Sequence, residues 1–334
     1  MKRIVSYIFK FIVPLAFGLG LFWYIYSKMD MNEVGKILQY DINYWWILLS
    51  AIIGMFSHFI RAARWKLQLK ALPANPPMRV LVNAIFGTYA VNLIFPRMGE
   101  VWRCGYVAHS ENKSFVEVVG SMISERVTDT LTVATITVVT FFLQFDMVMK
   151  LLSEQPIIMD SIVKIVSSPL LYCIIAIGII GLIFLFKYKS NNSIIVKIKG
   201  VFNNFVNGFK TIFKMKNKWL FIFYTILMWG AYFVELYVCF FAFKQTESLG
   251  MVCAFSAFLF GSIGMGLPVQ GGIGPWHWAV ICILTLYGVN EDTAGAFALV
   301  AHGAQLIMTI VMGIYTFIAI SLDKKNTSKN SLKL

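Results

Sequence analysis

Apolar residues run along this chain in six blocks long enough to cross a bilayer, with two further blocks broken at their centres. A helical crossing needs about 20 apolar residues. That length is met near residues 7–27, 43–62, 115–145, 167–187, 217–244 and 293–321. Residues 79–103 and 249–288 are apolar toward their ends, but their interiors hold charge, proline or glycine. The first breaks within Val91–Arg103 (VNLIFPRMGEVWR) and the second within Gly261–Pro275 (GSIGMGLPVQGGIGP). Hydrocarbon penalises a mid-depth charge by about 2.5–3.5 kcal/mol, so the first segment belongs against protein or in a wet cavity. Each broken block is predicted to be a re-entrant helical hairpin, entering and leaving on one side.

The order span, span, hairpin, span then occurs twice, in 1–146 and, from the opposite face, in 167–322. The predicted fold is all-α integral membrane: about six transmembrane helices plus two re-entrant helical hairpins in an inverted-topology repeat, with 1–334 as a single membrane domain. Interrupted segments in corresponding places of two halves also point to a transporter's binding site. Between the fourth and fifth spans, Ile198, Val201, Phe202, Phe205, Phe209, Ile212 and Phe213 recur at helical spacing. Lys197, Asn203, Asn207, Lys210 and Lys214 fall elsewhere on the wheel. This predicts an amphipathic interfacial helix over 191–216.

Charge tests that order. The net charge of +13 on a chain that is 58% hydrophobic would suggest nucleic acid on a soluble protein, but its distribution argues for a membrane. With Met1 inside, three basic clusters fall inside: Arg61, Arg64, Lys66, Lys70 and Arg79; the lysines from Lys187 to Lys218; and Lys324, Lys325, Lys329 and Lys333. The acidic connections fall outside: Asp30, Glu33 and Asp41; Asp146, Glu154 and Asp160; Glu291 and Asp292. Full crossing by either hairpin would invert every later cluster. The positive-inside rule thus places both termini in the cytoplasm, where basic residues also favour anionic lipid. The first span has no small-residue cleavage site after it and is read as retained. Cys104, Cys173, Cys239, Cys253 and Cys282 are scattered without metal-ligand or disulfide spacing, and are expected to be small packing residues.

Three polar constellations carry the candidate chemistry. In the first hairpin, Asn92 precedes a break at Pro96 and Gly99, which Arg97, Glu100 and Arg103 surround. Glu100 and Arg103 are spaced to pair on a helix, leaving an arginine for an anion, bidentately if it is a phosphate. In the third span, Glu125, Arg126 and Asp129 fall within two turns. Arg97, Arg103 and Arg126 balance Glu100, Glu125 and Asp129, so a closed structural network and a substrate or proton site both remain open. In the second hairpin, Gln270, Gly271, Gly272 and Gly274 precede Pro275 and His277. Glycines expose backbone N–H groups, and Pro275 opens a helix whose positive end faces the loop, an arrangement suited to an anion or simply to a tight turn. His58, Glu235, His302 and Gln305 are isolated polar groups within apolar segments. No nucleotide motif, GxSxG, HExxH or paired-aspartate metal motif occurs, which favours transport over catalysis.

Three motifs carry a family resemblance: N-x-x-x-P-R-x-G-E-x-x-R at Asn92–Arg103, S-E-R-V-x-D at Ser124–Asp129 and G-G-I-G-P at Gly271–Pro275. In them, and in their order along most of the chain, the sequence resembles the lysylphosphatidylglycerol synthase/flippase transmembrane family. The resemblance implies a bacterial inner-membrane protein with re-entrant helices that moves, or helps to move, lipids between leaflets. Bifunctional members add a soluble C-terminal domain that transfers an aminoacyl group from tRNA to phosphatidylglycerol. This chain ends shortly after its last span, so that activity is not expected here. Members often show an acidic residue soon after the glycine motif, where this chain has Trp276, His277 and Trp278; His277 is the titratable group in that place.

The expectation is therefore a flippase-like lipid translocase of the bacterial cytoplasmic membrane. Its substrate has an anionic head group: a phospholipid, an aminoacyl-lipid or a polyprenyl-phosphate glycolipid. Candidate substrate-binding residues are Asn92, Arg97, Glu100, Arg103, Glu125, Arg126, Asp129, Gln270, Gly271, Gly272, Gly274 and His277, with no catalytic residue, metal or cofactor. Membrane lipids are the expected partners and nucleic acid is not; homo-oligomerisation is left open. The alternatives are a membrane-embedded lipid or glycosyl transferase and a non-transporting subunit of a lipid-synthesis complex.

Overall fold

The computed structural model describes residues 12–70, 75–145 and 215–331, together with 164, 167–170, 172–173, 176–178 and 180–181; side chains are described as far as 323. The expected amphipathic helix over 191–216, except for its last two residues, and about half of the expected span 167–187 lie outside the described residues. The helices are α1 (Val13–Tyr26), α2 (Met31–Tyr40), α3 (Tyr44–Leu69), α4 (Met78–Ile94), α5 (Met98–Ser110), α6 (Phe115–Leu143), α7 (Lys218–Phe240), α8 (Met251–Gly266), α9 (Pro275–Leu286) and α10 (Glu291–Ser331). No strand occurs among the described residues. Among the described residues, four helices are long and apolar enough to cross a membrane: α3, α6, α7 and the Glu291–Asp323 part of α10. α1, α4 and α8 are shorter apolar helices. The protein is an all-helical, multi-pass membrane protein.

Two compact units are distinguished, Met1–Glu125 with Met215–Leu334, and Arg126–Lys214. The larger unit draws its helices from both halves of the chain. In it α3 and α7 pack antiparallel along their lengths. Ile42 bridges Phe243, and the Asn43 amide donates to the Ala242 carbonyl at 3.0 Å, pinning their ends. The helix starts follow from local chemistry. Asp30 caps α2 by accepting from the Asn32 and Glu33 amides, and Asn43 caps α3 by accepting from Trp45.

Both broken blocks fold as helical hairpins with close antiparallel arms. In the first, α4 stops at Phe95 because Pro96 disfavours helix in the residue before it, and α5 resumes at Met98. Gly99 lets the arms meet, since a Cβ there would lie 2.8 Å from Asn92 Oδ1 and still nearer the Thr88 carbonyl oxygen. In the second, α8 runs into a 3-10 turn at Gln270–Gly272 before α9 begins at Pro275. This hairpin packs against α1, α7 and α10, and its 3-10 turn against α4. The main core lies where α3, α4, α5, α6 and α10 meet, with Trp65, Leu69, Leu81, Ala84, Ile85, Cys104, Val107, Val118 and Met312 among its buried members.

One sequence boundary shifts with consequences. The expected second span ends at 62, whereas α3 continues unbroken to Leu69. Arg61 and Arg64 are therefore buried helical residues rather than loop charges, 7% and 0% exposed. A carboxylate from elsewhere in the chain compensates them.

Candidate functional site

That carboxylate is Glu125 on α6, itself fully buried. Its Oε1 lies 2.8 Å from Arg61 Nε, 2.7 Å from Arg61 Nη2 and 3.4 Å from Arg64 Nη2. Its Oε2 lies 2.7 Å from Arg103 Nη2. Three helices, α3, α5 and α6, thus bring three guanidinium groups to one carboxylate. Arg61 also donates through Nη1 to the Tyr89 hydroxyl at 2.7 Å and, at 3.5 Å, to Tyr232. The Arg103 guanidinium lies 4.5 Å from the centroid of the Trp65 ring, whose Nε1 donates to Ser121 Oγ at 3.1 Å. Charge-assisted bonds in this desolvated setting are strong, and deleting one partner of a buried pair costs about 3–5 kcal/mol.

The second region is formed by the hairpin tips. Asn92 clasps the first tip, accepting from the Gly99 amide at 2.8 Å and donating through Nδ2 to Glu100 Oε2 at 3.3 Å. Between them Phe95–Met98 closes a turn, with the Met98 amide donating to the Phe95 carbonyl at 3.1 Å. Arg97 is the third residue of that turn at φ 65°, ψ −3°, a left-handed conformation uncommon for a residue with a Cβ. Its side chain is exposed and donates through Nη2 to the Gly266 carbonyl at the end of α8, directly linking the two hairpins. Arg97 forms no ion pair among the described residues. Nearby, Leu93 of the first hairpin lies against Gly271 of the second.

Behind the second tip sits a pair of buried imidazoles. His302 Nε2 is 2.9 Å from the Gly271 carbonyl oxygen, and the Trp276 ring stacks on His302 with centroids 4.9 Å apart. The His277 ring stands edge-on to His302 at 4.6 Å, and its Nδ1 accepts from the Gly274 amide at 3.4 Å. Phe22 and Tyr26 of α1 close over His277. Gly274, at φ 92°, needs to be glycine, because a Cβ there would lie 2.5 Å from the Gly18 carbonyl oxygen. The loop uses several of its own N–H groups internally: Gly272 donates to Val269, Ile273 to Gln270 and Gly274 to His277.

The structure therefore sorts the sequence candidates by place. Asn92, Arg97, Glu100, Gly271 and the end of α8 meet at the tips, while Gln270, Gly272, Gly274 and His277 belong to the packed loop behind them. Arg103 and Glu125 belong to the buried cluster. Arg126 and Asp129 lie in the smaller unit, where Arg126 Nη2 is 3.7 Å from Asp129 Oδ2 one turn along α6. Sequence reasoning missed Arg61, Arg64, Tyr89 and Tyr232 in the cluster and the His302–Gly271 contact. The available signal was the HFIRAARW run, which sets Arg61 and Arg64 one turn apart beside Trp65, but their partner is more than 60 residues away. No group of three or more His, Cys, Asp or Glu suited to a metal occurs among the described residues, and the five cysteines are unbridged.

The family model for the lysylphosphatidylglycerol synthase TM region matches residues 11–313, and the chain belongs to that family. No curated protein and no solved structure matches it.

Proposed function

We propose that this protein is a flippase-like translocase that moves lipids with anionic head groups between the leaflets of the bacterial cytoplasmic membrane. The observation that carries this reading is Arg97: an exposed guanidinium at the junction of two hairpin tips, held to Gly266 and ion-paired to no described residue. A planar guanidinium suits bidentate binding of a phosphate, whether in a phospholipid, an aminoacyl-lipid or a polyprenyl-phosphate glycolipid. In this reading both hairpins are re-entrant from opposite faces, as parts of an inverted repeat with both termini in the cytoplasm. Irregular backbone at membrane depth is tolerated against protein or a wet cavity, and two tips in contact satisfy that condition for one another. The head group passes Arg97 while the acyl chains stay in the bilayer. Membership of the lipid-related family supports the same class of substrate.

The test follows a fluorescent anionic lipid in proteoliposomes by its accessibility to an external quencher. Arg97→Gln is expected to slow exposure about ten- to a hundredfold, corresponding to loss of a charged hydrogen bond of about 1.5–3 kcal/mol. Exposure at the parental rate would remove Arg97 from the mechanism. Cysteine labelling tests the topology separately: positions 75 and 113 should react from the cytoplasm, and 247 and 290 from outside. A pair that straddles the membrane overturns re-entrance of that hairpin.

A further inference from the structure

The seam between α3 and α7 contains an acid that the proposed lipid path does not use. Glu235 sits within the candidate span Lys218–Phe240, yet no hydrogen bond or ion pair reaches its carboxyl group among the described residues. It faces Gly54 of α3 so closely that a methyl group there would lie 2.5 Å from Oε1. Ser50 uses its hydroxyl on the Glu235 backbone carbonyl at 2.7 Å rather than on the carboxyl group, and Cys239 donates to Ser50 at 3.2 Å. One turn along α3 from Gly54 is His58, 3% exposed, whose Nδ1 also lacks a partner among the described residues. The His58 ring is 4.3 Å from that of Tyr89 and 6.1 Å from that of Tyr232, which lies one turn from Glu235 on α7. The two tyrosine hydroxyls are 3.4 Å apart, and both meet Arg61, which pairs with Glu125.

We propose that Glu235 is a proton-binding site, and that His58, Tyr232 and Tyr89 connect it to the Arg61–Glu125 cluster so that lipid movement is coupled to proton movement. An ionised carboxylate without a cation is expensive within a span, and isolated acids there mark proton relays. A neutral acid on an otherwise polar seam binds its proton on one carboxylate oxygen and releases it to water, without further chemistry. The proposed connection requires water to bridge the stretch between Glu235 and the tyrosines. The surroundings of Glu235 are specific. α3 contributes His58 and, farther along, Arg61, while α7 itself contributes Tyr232 and Cys239. α8 presents Phe255 and Phe258 to Phe233, with Cys253 the one titratable residue on that helix. α10 meets α7 through Phe297 against Phe240. If α7 runs from the cytoplasm outward, Glu235 lies in the outer half and the arginine cluster in the inner half, as inward proton flow requires.

The proton site is independent of the lipid-moving reading, whereas the coupling rests on it, so the experiment has two arms. Infrared titration of the purified protein in nanodiscs should show a protonated-carboxyl stretch that is lost as pH rises and is missing from Glu235→Gln. The Gly54→Ala variant, which adds its methyl group beside Oε1, should shift the same band. A band unchanged in Glu235→Gln, or no titrating band in the parent, overturns the site; an unshifted band in Gly54→Ala overturns its assigned geometry. In proteoliposomes holding a gradient of about one pH unit, one proton per lipid sets a lipid asymmetry of about tenfold, which Glu235→Gln should lose. Lipid that equilibrates without asymmetry in the parent, or an asymmetry set by sodium and not by pH, overturns the coupling. If no lipid moves with or without the gradient, the translocase reading fails while the infrared arm still decides the proton site.

Discussion

Arg97 and Arg103 belong to one short motif, yet the fold gives them opposite environments. Arg103 is fully buried, 2.7 Å from Glu125 and over the face of Trp65. Arg97 is exposed on a left-handed residue, with a main-chain carbonyl as its partner. The difference comes from what each position faces. Arg103 lies on the inner side of α5, where α3 and α6 supply a carboxylate and an aromatic ring. Arg97 is the corner of the turn, where its side chain reaches the Gly266 carbonyl of the opposing hairpin. A buried, paired arginine ties helices together, whereas an exposed one held by neutral backbone keeps its charge for a ligand. On the proposed function, the comparison separates a structural arginine from a binding one six positions away.

The comparison breaks most readily at Glu125. Its replacement by Gln takes the shared carboxylate from three buried guanidinium groups, and the loss of a buried ionic partner costs about 3–5 kcal/mol. Glu125→Gln is expected to express poorly or to melt well below the parent in detergent, as read by thermal-shift or size-exclusion profiles. Replacing Arg103 by Leu should destabilise in the same direction, because Glu125 then loses one of its cations. A Glu125→Gln protein as stable as its parent would show that the cluster is wet and that buried pairing does not distinguish Arg103 from Arg97.

A smaller loss is expected at the neck of the first hairpin. Gly99→Ala forces a methyl group toward the Thr88 carbonyl and Asn92 Oδ1, and overpacking of this kind typically costs about 1–3 kcal/mol. The arms must separate, which weakens the Gly99–Asn92 bond and moves Arg97 from Gly266. The variant should therefore lose both thermal stability and lipid movement, unlike changes confined to the Arg97 side chain, which should lose movement alone. Unchanged melting would mean that the arms are looser than their hydrogen bonds imply.

The membrane class, both helical hairpins and the positions of their breaks were legible because they depend on local pattern: apolar length, proline, glycine and interrupted hydrophobic runs. The end of α3 was not. A span read from apolar length closes at 62, where the basic run begins, whereas the helix carries Arg61 and Arg64 onward to Leu69 because Glu125 neutralises part of their burial cost. The charge arithmetic set Arg103 among acids that included its partner Glu125, but it left out two arginines from another helix that share that carboxylate. The Asn92–Glu100 and Asn92–Gly99 contacts were within reach of sequence reasoning, being short-range. The His302–Gly271 contact spans 31 positions and joins a loop to a later helix, so no local pattern announces it.

The smallest effect makes the sharpest test, because it should separate stability from activity at one residue. Arg97 pays for its place in the turn with a left-handed backbone, at φ 65°. Such conformations cost a non-glycine residue of order 1–3 kcal/mol and persist where surrounding structure or function requires them. Glycine adopts the same φ without that strain, though it adds flexibility to the unfolded chain and removes the bond to Gly266. The balance favours Arg97→Gly slightly, so its melting temperature should equal or exceed the parent's, by up to about 1 kcal/mol of stability. Its lipid movement should nevertheless fall as far as that of Arg97→Gln, because both lack the guanidinium. A structural Arg97 makes the opposite forecast: Arg97→Gly would lose stability along with activity, since the bond to Gly266 would then be what holds the tips together. Melting and lipid exposure measured on the same preparation decide between them, and a joint loss would erase the distinction between Arg97 and Arg103.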